Sequence, residues 1–385
     1  GAALSGGDPV VFCLVVPPGG YRGWRFTITD TEGGQMVRET SQAEVVLAAN
    51  HIKTYNPIAY AATEPAPVAL DASATANCYV VARAGRYEFD ATTMGNGAVT
   101  PPDAAYTAGS TCGKADGIVP EALRPVTAKL LWQTAPNLIG EVSLGEEGRI
   151  RFTTADPFVE GNAVVAACDA DGAILWSWHL WLTSADLEGS LHRYALPYEG
   201  LGAAAVMDRN LGALAAAWLG ADNASSYGMF YQWGRKDPFI GANRIQKNYT
   251  DEYEGVGSQT TGDNGFTALF LYNDALCEGF KFVNKEMDMS MSIANPTVFY
   301  GVYNSGGWKG SNSEVEDYWG GASGTKTNND PCPAGYRVPT FDEINGFIKD
   351  IDTNKTAQEN VSDQSYGRKY TVGDQTFMFP GSALR

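Results

Sequence analysis

Histidine is scarce in this chain. His51, His179 and His192 are the three among 385 residues, and none stands at metal-ligand spacing from another. That pattern excludes a histidine-built metal centre. The six cysteines, Cys13, Cys78, Cys112, Cys168, Cys277 and Cys332, contain no CxxC pair, which excludes a zinc ribbon and a dithiol redox motif. They are also too sparse for a disulfide scaffold and read as small buried hydrophobes, with Cys277 and Cys332 the pair to test for a bond. No HExxH, GxSxG, P-loop or GxGxxG occurs. Charged residues make up only 18%, and bases are the minority: 27 against 44 acids, a net charge of −17. With no basic run, such a surface repels phosphate backbones, so no nucleic-acid partner is expected. The longest nearly apolar stretch, Leu211 to Ala221, is far too short to span a bilayer.

Apolar residues are plentiful at 44%, enough for packed cores and too many for global disorder. The length exceeds what one hydrophobic core usually serves, which predicts two or three domains. Glycine numbers 44, and Tyr and Trp are abundant at 19 and 9, a mixture that suits short strands joined by many turns. The chain opens Gly-Ala-Ala-Leu without an initiator Met or a signal peptide. It reads as a trimmed chain, with Gly1 a tag remnant and any leader or lipid attachment cut away.

The first half reads as strands. Val10 to Val16 is an apolar run stopped by Pro17-Pro18-Gly19-Gly20. Trp24, Phe26 and Ile28 alternate with polar residues up to a turn at 30–34, the signature of a half-buried strand. Glu44 to Ala49 adds a short strand, and the Pro- and Ala-rich 63–67 looks like a linker. Cys78 to Arg83 and Arg86 to Phe89, joined through Ala84-Gly85, predict a hairpin. Residues 95–125 read as loop, and Ala128 to Gln133, Arg149 to Thr153 and Ala163 to Cys168 as strands. Asp169-Ala170-Asp171-Gly172 resembles the start of a calcium loop, but the later ligands are missing and a β-turn is the better reading. Ile174 to Leu182 carries Trp176 and Trp178 on one face and Ser177, His179 and Trp181 on the other. Bulk on both faces predicts a central core strand rather than a sugar-stacking platform.

After residue 190 the texture turns irregular. Thr340 with Glu343 forms a capping box, and Phe341, Ile344, Phe347 and Ile348 fall on one face of the short helix it opens. Three further words stand out: Met207 to Ala213, Tyr231 to Phe239, and Asn329 to Thr340. Asn295-Pro296-Thr297 and Tyr318-Trp319-Gly320-Gly321 lie between them.

In this order those words resemble the Fibrobacter succinogenes major paralogous domain, a C-type-lectin-like fold of Bacteroidales surface proteins, over about 200–385. Upstream, Ala76 to Val81, Gly161 to Val164 and Leu175 to His179 are similar to segments of fimbrillin-like β-sandwich proteins. The resemblance implies a mainly β chain: tandem fimbrillin-like β-sandwich domains followed by an α+β C-type-lectin-like domain. Residues 1–65 would be the C-terminal part of one sandwich, 66–190 a second, and 191–385 the lectin-like domain. It further implies a non-enzymatic adhesion protein of the cell surface, outer membrane or fimbrium, a pilus tip or accessory subunit. Its partners would be other pilus subunits or surface glycans and proteins, and its membrane contact a removed N-terminal lipid anchor. Glu-Pro-Asn, Gln-Pro-Asp and Trp-Asn-Asp triplets are absent, so the usual calcium-dependent sugar site is not expected. The family also continues with further strands beyond the point matching Arg385, which reads as a truncated lectin-like domain.

The ligand-binding candidates are Trp308, Tyr303, Tyr318, Trp319, Trp233 and Arg235, with Trp308 as anchor on a glycine-rich loop. Trp233 and Arg235 also admit a structural reading, with Trp233 in the core and Arg235 paired to Asp237 or capping a carbonyl. Asp208 with Arg209 reads as an internal ion pair. No cofactor, metal ligand or catalytic residue is expected. The alternatives are a surface glycan binder outside a pilus, or an enzyme of the formylglycine-generating type, which needs a reactive cysteine. Cys332, between two prolines, reads as structural.

Overall fold

The computed structural model describes residues 16–29, 35–39, 42–49, 66–96, 123–145, 147–196, 202–216, 224–226, 228–240, 265–266, 270–272, 275–277, 281–283, 287–300, 316–321, 324, 326–361 and 367–380. Among these, strands far outnumber helices, so the chain is mainly β. It divides into two compact units, Gly1–Pro67 and Val68–Arg385. No helix among the described residues is long and apolar enough to cross a membrane.

In the first unit, Gly19–Tyr21 pairs antiparallel with Val45–Leu47, and Arg25–Thr29 with Gln35–Glu39. The alternating segment is thus a strand, as its pattern predicts. The apolar run at 10–15 and the turn at 30–34 lie outside the described residues.

The second unit is built on two four-stranded sheets. One runs in the order Val68–Ala69, Arg86–Asp90, Arg149–Thr153, Ser143–Leu144; the other Cys78–Val81, Ile174–Leu182, Gly161–Cys168, Thr127–Gln133. Alternation decides what lies between them. Tyr87, Phe89, Ile150 and Phe152 of the first sheet and Tyr79, Val81, Val165, Trp176, Trp178 and Leu180 of the second share one buried core. The rings of Phe89 and Trp178 stand 5.2 Å apart. Ile174–Leu182 is the expected central strand, and both tryptophans are fully buried. Asp169 closes the expected turn by accepting the N–H groups of Asp171 and Ala173.

The predicted 78–89 hairpin does not form. Cys78–Val81 pairs in parallel with Ile174–Leu182, whereas Arg86–Asp90 pairs with Arg149–Thr153 in the other sheet. The chain crosses from sheet to sheet at 82–85. Alternation puts Tyr79, Val81, Tyr87 and Phe89 inward in either arrangement, so the pattern alone cannot separate an arch from a hairpin.

The boundary expected near 190 falls inside the second unit, because segments on either side interlock. A separate cluster forms at its C-terminal part, where Tyr194, Phe347, Ile351, Val372 and Phe377 pack the Phe341–Asn354 helix against the His192–Ala195 strand and the three-stranded meander of Lys355–Val361, Gly367–Val372 and Gln375–Pro380. The capping box is present: Glu343 N–H donates to Thr340 Oγ1 and Thr340 N–H to Glu343 Oε2. The helical face differs from expectation. Phe347 and Ile351 are buried, while Phe341 (77% exposed), Ile344 and Ile348 face outward. The helix meets its sheet along a stripe shifted around its axis, which the apolar spacing alone does not specify.

Candidate functional site

The segment 232–237 joins two short antiparallel strands, Met229–Tyr231 and Pro238–Ile240. Gly234 holds a left-handed turn at φ +86°, a conformation that glycine adopts at little cost. Arg235 turns inward and is 1% exposed. Its guanidinium donates to the carbonyls of Val298 (2.7 Å), Asn295 (3.2 Å) and Ser292 (3.3 Å), and to Gln232 Oε1 (2.7 Å). Two of those carbonyls close the C-terminal end of the Met289–Ala294 helix, where a cation is favoured. Burial pulls the guanidinium down to about 10, which the Asp237 charge offsets in part. It remains charged at neutral pH. Arg235 is therefore a carbonyl cap and does not face a ligand.

Lys236 and Asp237 lock the same segment to the central strand. Lys236 Nζ donates to Asp237 Oδ1 (2.6 Å), Ser177 Oγ (2.6 Å) and Ser177 O (3.1 Å), and lies 4.5 Å from the Trp176 ring centre. Ser177 Oγ donates to Asp237 Oδ1 at 2.6 Å. Asp237 thus pairs with Lys236, not with Arg235. A lysine beside a serine hydroxyl is also the layout of a nucleophilic dyad. Here Ser177, Lys236 and Asp237 are all buried, so the hydroxyl is sealed from substrate in this conformation.

Trp233 is the residue of this segment that turns outward. It is 53% exposed. Its ring stands 5.0 Å from that of Trp319, which is largely buried and donates from Nε1 to Arg235 O at 3.1 Å. Tyr231 meets Trp319 edge-on at 6.5 Å. The surface indole therefore rests on a fixed aromatic floor. The core role considered for Trp233 does not hold. The exposed role expected for Tyr318 and Trp319 does not hold either: Tyr318 is 1% exposed and Trp319 8%, because the turn carrying them packs inward. Tyr303 and Trp308 lie outside the described residues. Of the four candidates among the described residues, the structure brings Trp233, Trp319 and Arg235 together and leaves Trp233 at the surface.

The sequence reading missed the buried polar seam that holds this region. Asn77 Nδ2 donates to the carbonyls of Asn328 (2.5 Å) and Asp330 (2.8 Å), and its Oδ1 accepts from Trp176 Nε1 (2.9 Å). Asp330 accepts from Lys326 Nζ (3.0 Å) and from the N–H groups of Cys332 and Val338 (both 2.8 Å). Lys326 also donates to the carbonyls of Cys332 and Tyr336. His179 donates from Nε2 to Asn162 Oδ1 (2.9 Å) and accepts from the Tyr231 hydroxyl (3.2 Å); Asn162 in turn donates to Gly212 O. Burial without a charged partner lowers His179 to about 3, so its ring is neutral. The available signal was Ser177 and His179 sharing one face of an otherwise apolar strand. Asp208 and Arg209 form the expected bidentate pair, at 2.7 and 3.0 Å.

Cys332 is a free thiol and is not bonded to Cys277. Burial, then the Asp330 carboxylate, pushes it well above the ordinary thiol range, the opposite of a reactive cysteine. Among the described residues, no cluster of His, Cys, Asp or Glu could hold a metal ion. No family model, no curated protein and no solved structure matches the chain.

Proposed function

We propose that this chain is a non-enzymatic adhesion protein of the bacterial cell surface, a fimbrial tip or accessory subunit. In this reading residues 1–65 and 66–190 are tandem fimbrillin-like sandwiches and 191–385 a C-type-lectin-like domain. Export across the inner membrane, an N-terminal lipid anchor later removed, and contact with pilus subunits or surface glycans and proteins belong to it.

The observation that carries the proposal is the half-exposed Trp233 on its Trp319 floor. A large rigid ring held at the surface offers stacking area to a sugar face or an apolar side chain without first having to be ordered. The chain's net charge of −17 favours neutral or cationic partners over phosphate-bearing ones. The test is Trp233→Ala in the full chain, assayed for adhesion to host and bacterial surfaces and on a glycan array, with Trp308→Ala in parallel. Loss of a hot-spot anchor costs roughly 2 kcal/mol, about thirtyfold in affinity. The variant should melt within about 2 °C of the parent, because Trp233 is a surface residue. Parental binding by both variants would overturn the proposal.

A further inference from the structure

Cys78 and Cys332 are distant in sequence and adjacent in the fold. Both are free thiols in this structure. Cys78 opens the strand Cys78–Val81, and Pro333 bridges to it in parallel along that strand's outer edge. Paired strands stand about 4.8 Å apart and consecutive Cα atoms about 3.8 Å. In ideal geometry those two steps, taken at right angles, would put the Cα atoms of Cys78 and Cys332 about 6 Å apart. Disulfides span Cα separations of roughly 4.4–6.8 Å.

The surroundings hold the two residues in that relation. Asn77, next to Cys78, grips the carbonyls of Asn328 and Asp330, and Asp330 accepts the Cys332 N–H at 2.8 Å. Lys326 Nζ donates to the Cys332 carbonyl at 2.9 Å, beside the bridge to Cys78. Cys78 is buried and Cys332 half-buried at this bridge.

We propose that Cys78 and Cys332 are joined by a disulfide in the oxidised protein, fastening the 326–338 loop covalently to the edge of the two-sheet core. The step is thiol–disulfide exchange with a disulfide-bearing carrier, protein or small molecule. One cysteine thiolate attacks the carrier disulfide, expels a carrier thiolate and forms a mixed disulfide. The second cysteine thiolate attacks the protein sulphur of that bond and expels the other carrier thiolate. Two protein S–H bonds are lost and one S–S bond forms. The carrier disulfide is reduced to two thiols, which take the two protons. Burial raises both thiols once the loop has docked, so closure belongs to folding; afterwards the buried Cys78 side of the bond is shielded from reductants. That the bond forms in the cell rests on the surface location proposed above. That it can form rests on the geometry alone.

The experiment uses the full chain, denatured, reduced, and refolded in a mixture of reduced and oxidised glutathione. N-ethylmaleimide then blocks free thiols before digestion and peptide mapping without reductant. The expected result is a linked peptide pair containing Cys78 and Cys332. This form should melt several degrees above the same protein kept in a phosphine reductant. The Cys78→Ala and Cys332→Ala variants should each erase that redox-dependent difference; if either fails to fold, the parent's peptide map decides. Alkylation of both cysteines in the refolded parent, or linkage of Cys332 to Cys277, would overturn the proposal. A linked pair after refolding but alkylated thiols in protein taken directly from cells would leave the geometry standing and count against the surface location.

Discussion

The two sheets within 68–182 and the described residues of 207–338 satisfy their buried backbones by different means. In the sheets, ladders do it: Gly161–Cys168 is paired along its length with Ile174–Leu182 on one side and Thr127–Gln133 on the other. In the second region the described strands are two or three residues long. Side chains take over the ladder's task. Gln232, Arg235, Lys236, Lys326, Asn77 and Asn329 all donate to backbone carbonyls, many of them far away in sequence. A buried N–H or C=O needs a partner wherever the chain is irregular, and here buried cations and amides supply it. The lesson is one of different fragility. The sheets are sensitive to lost volume, and the irregular region to a lost polar partner, because each polar group removed leaves others buried and unpaired.

Asp330→Ala is the sharpest way to break that contrast. It strips Lys326 of its carboxylate and leaves the Cys332 and Val338 N–H groups without their acceptor. Removing one partner of a buried ion pair costs roughly 3–5 kcal/mol, seen as a fall in melting midpoint of about 10 °C. In the sheets, Ile150→Val removes one methylene and should cost only about 0.5–1.5 kcal/mol. Equal effects from the two substitutions would refute the division.

Acid should act through His179 where the two regions meet. Its folded pKa lies near 3 and its ordinary value is 6.5. Below pH 6.5 the unfolded chain therefore takes up a proton that the folded chain refuses. Stability falls as pH drops from 6.5 towards 3, by about 1.4 kcal/mol per pH unit from this residue alone. Chemical denaturation at pH 7, 6 and 5 measures the slope. His179→Gln should be flatter than the parent over that interval, and an unchanged slope would locate the acid sensitivity elsewhere.

The smallest effects are expected on the Phe341–Asn354 helix, as a pair. Thr340→Ala removes the cap and should cost about 1 kcal/mol. Phe341→Ser, one residue away but largely exposed, should change stability by less than about 0.5 kcal/mol. The comparison separates capping from burial. If Phe341→Ser proved the more damaging, the outward orientation of that stripe would be wrong.

Strands and turns were largely legible in the sequence where one local rule was enough. Trp176 and Trp178 follow from period-two alternation, and the Thr340–Glu343 box from its three-residue spacing. The arch at 82–85 was not legible, because hairpin and arch bury the same residues. At the candidate site, the expected anchor Trp308 lies outside the described residues, and in the 232–237 segment the carbonyl-capping role open to Arg235 holds while the core role open to Trp233 does not. Trp233 and Arg235 are close neighbours with opposite fates, one at the surface and one capping a helix. Tyr318 and Trp319 looked exposed because their neighbours are polar, yet their turn packs inward.

The sequence by itself determined the mainly β character, the two-faced central strand, the helix start and the Asp208–Arg209 pair. All of these depend on residues a few positions apart, whose relation the backbone geometry fixes. Only the tertiary structure decided which strands share a sheet, that Lys236 rather than Arg235 answers Asp237, that Asn77 clasps 328–330, and that Cys78 stands beside Cys332. Those relations join positions that chain geometry leaves independent, and they are set by the demand that every buried charge and carbonyl find a partner at once.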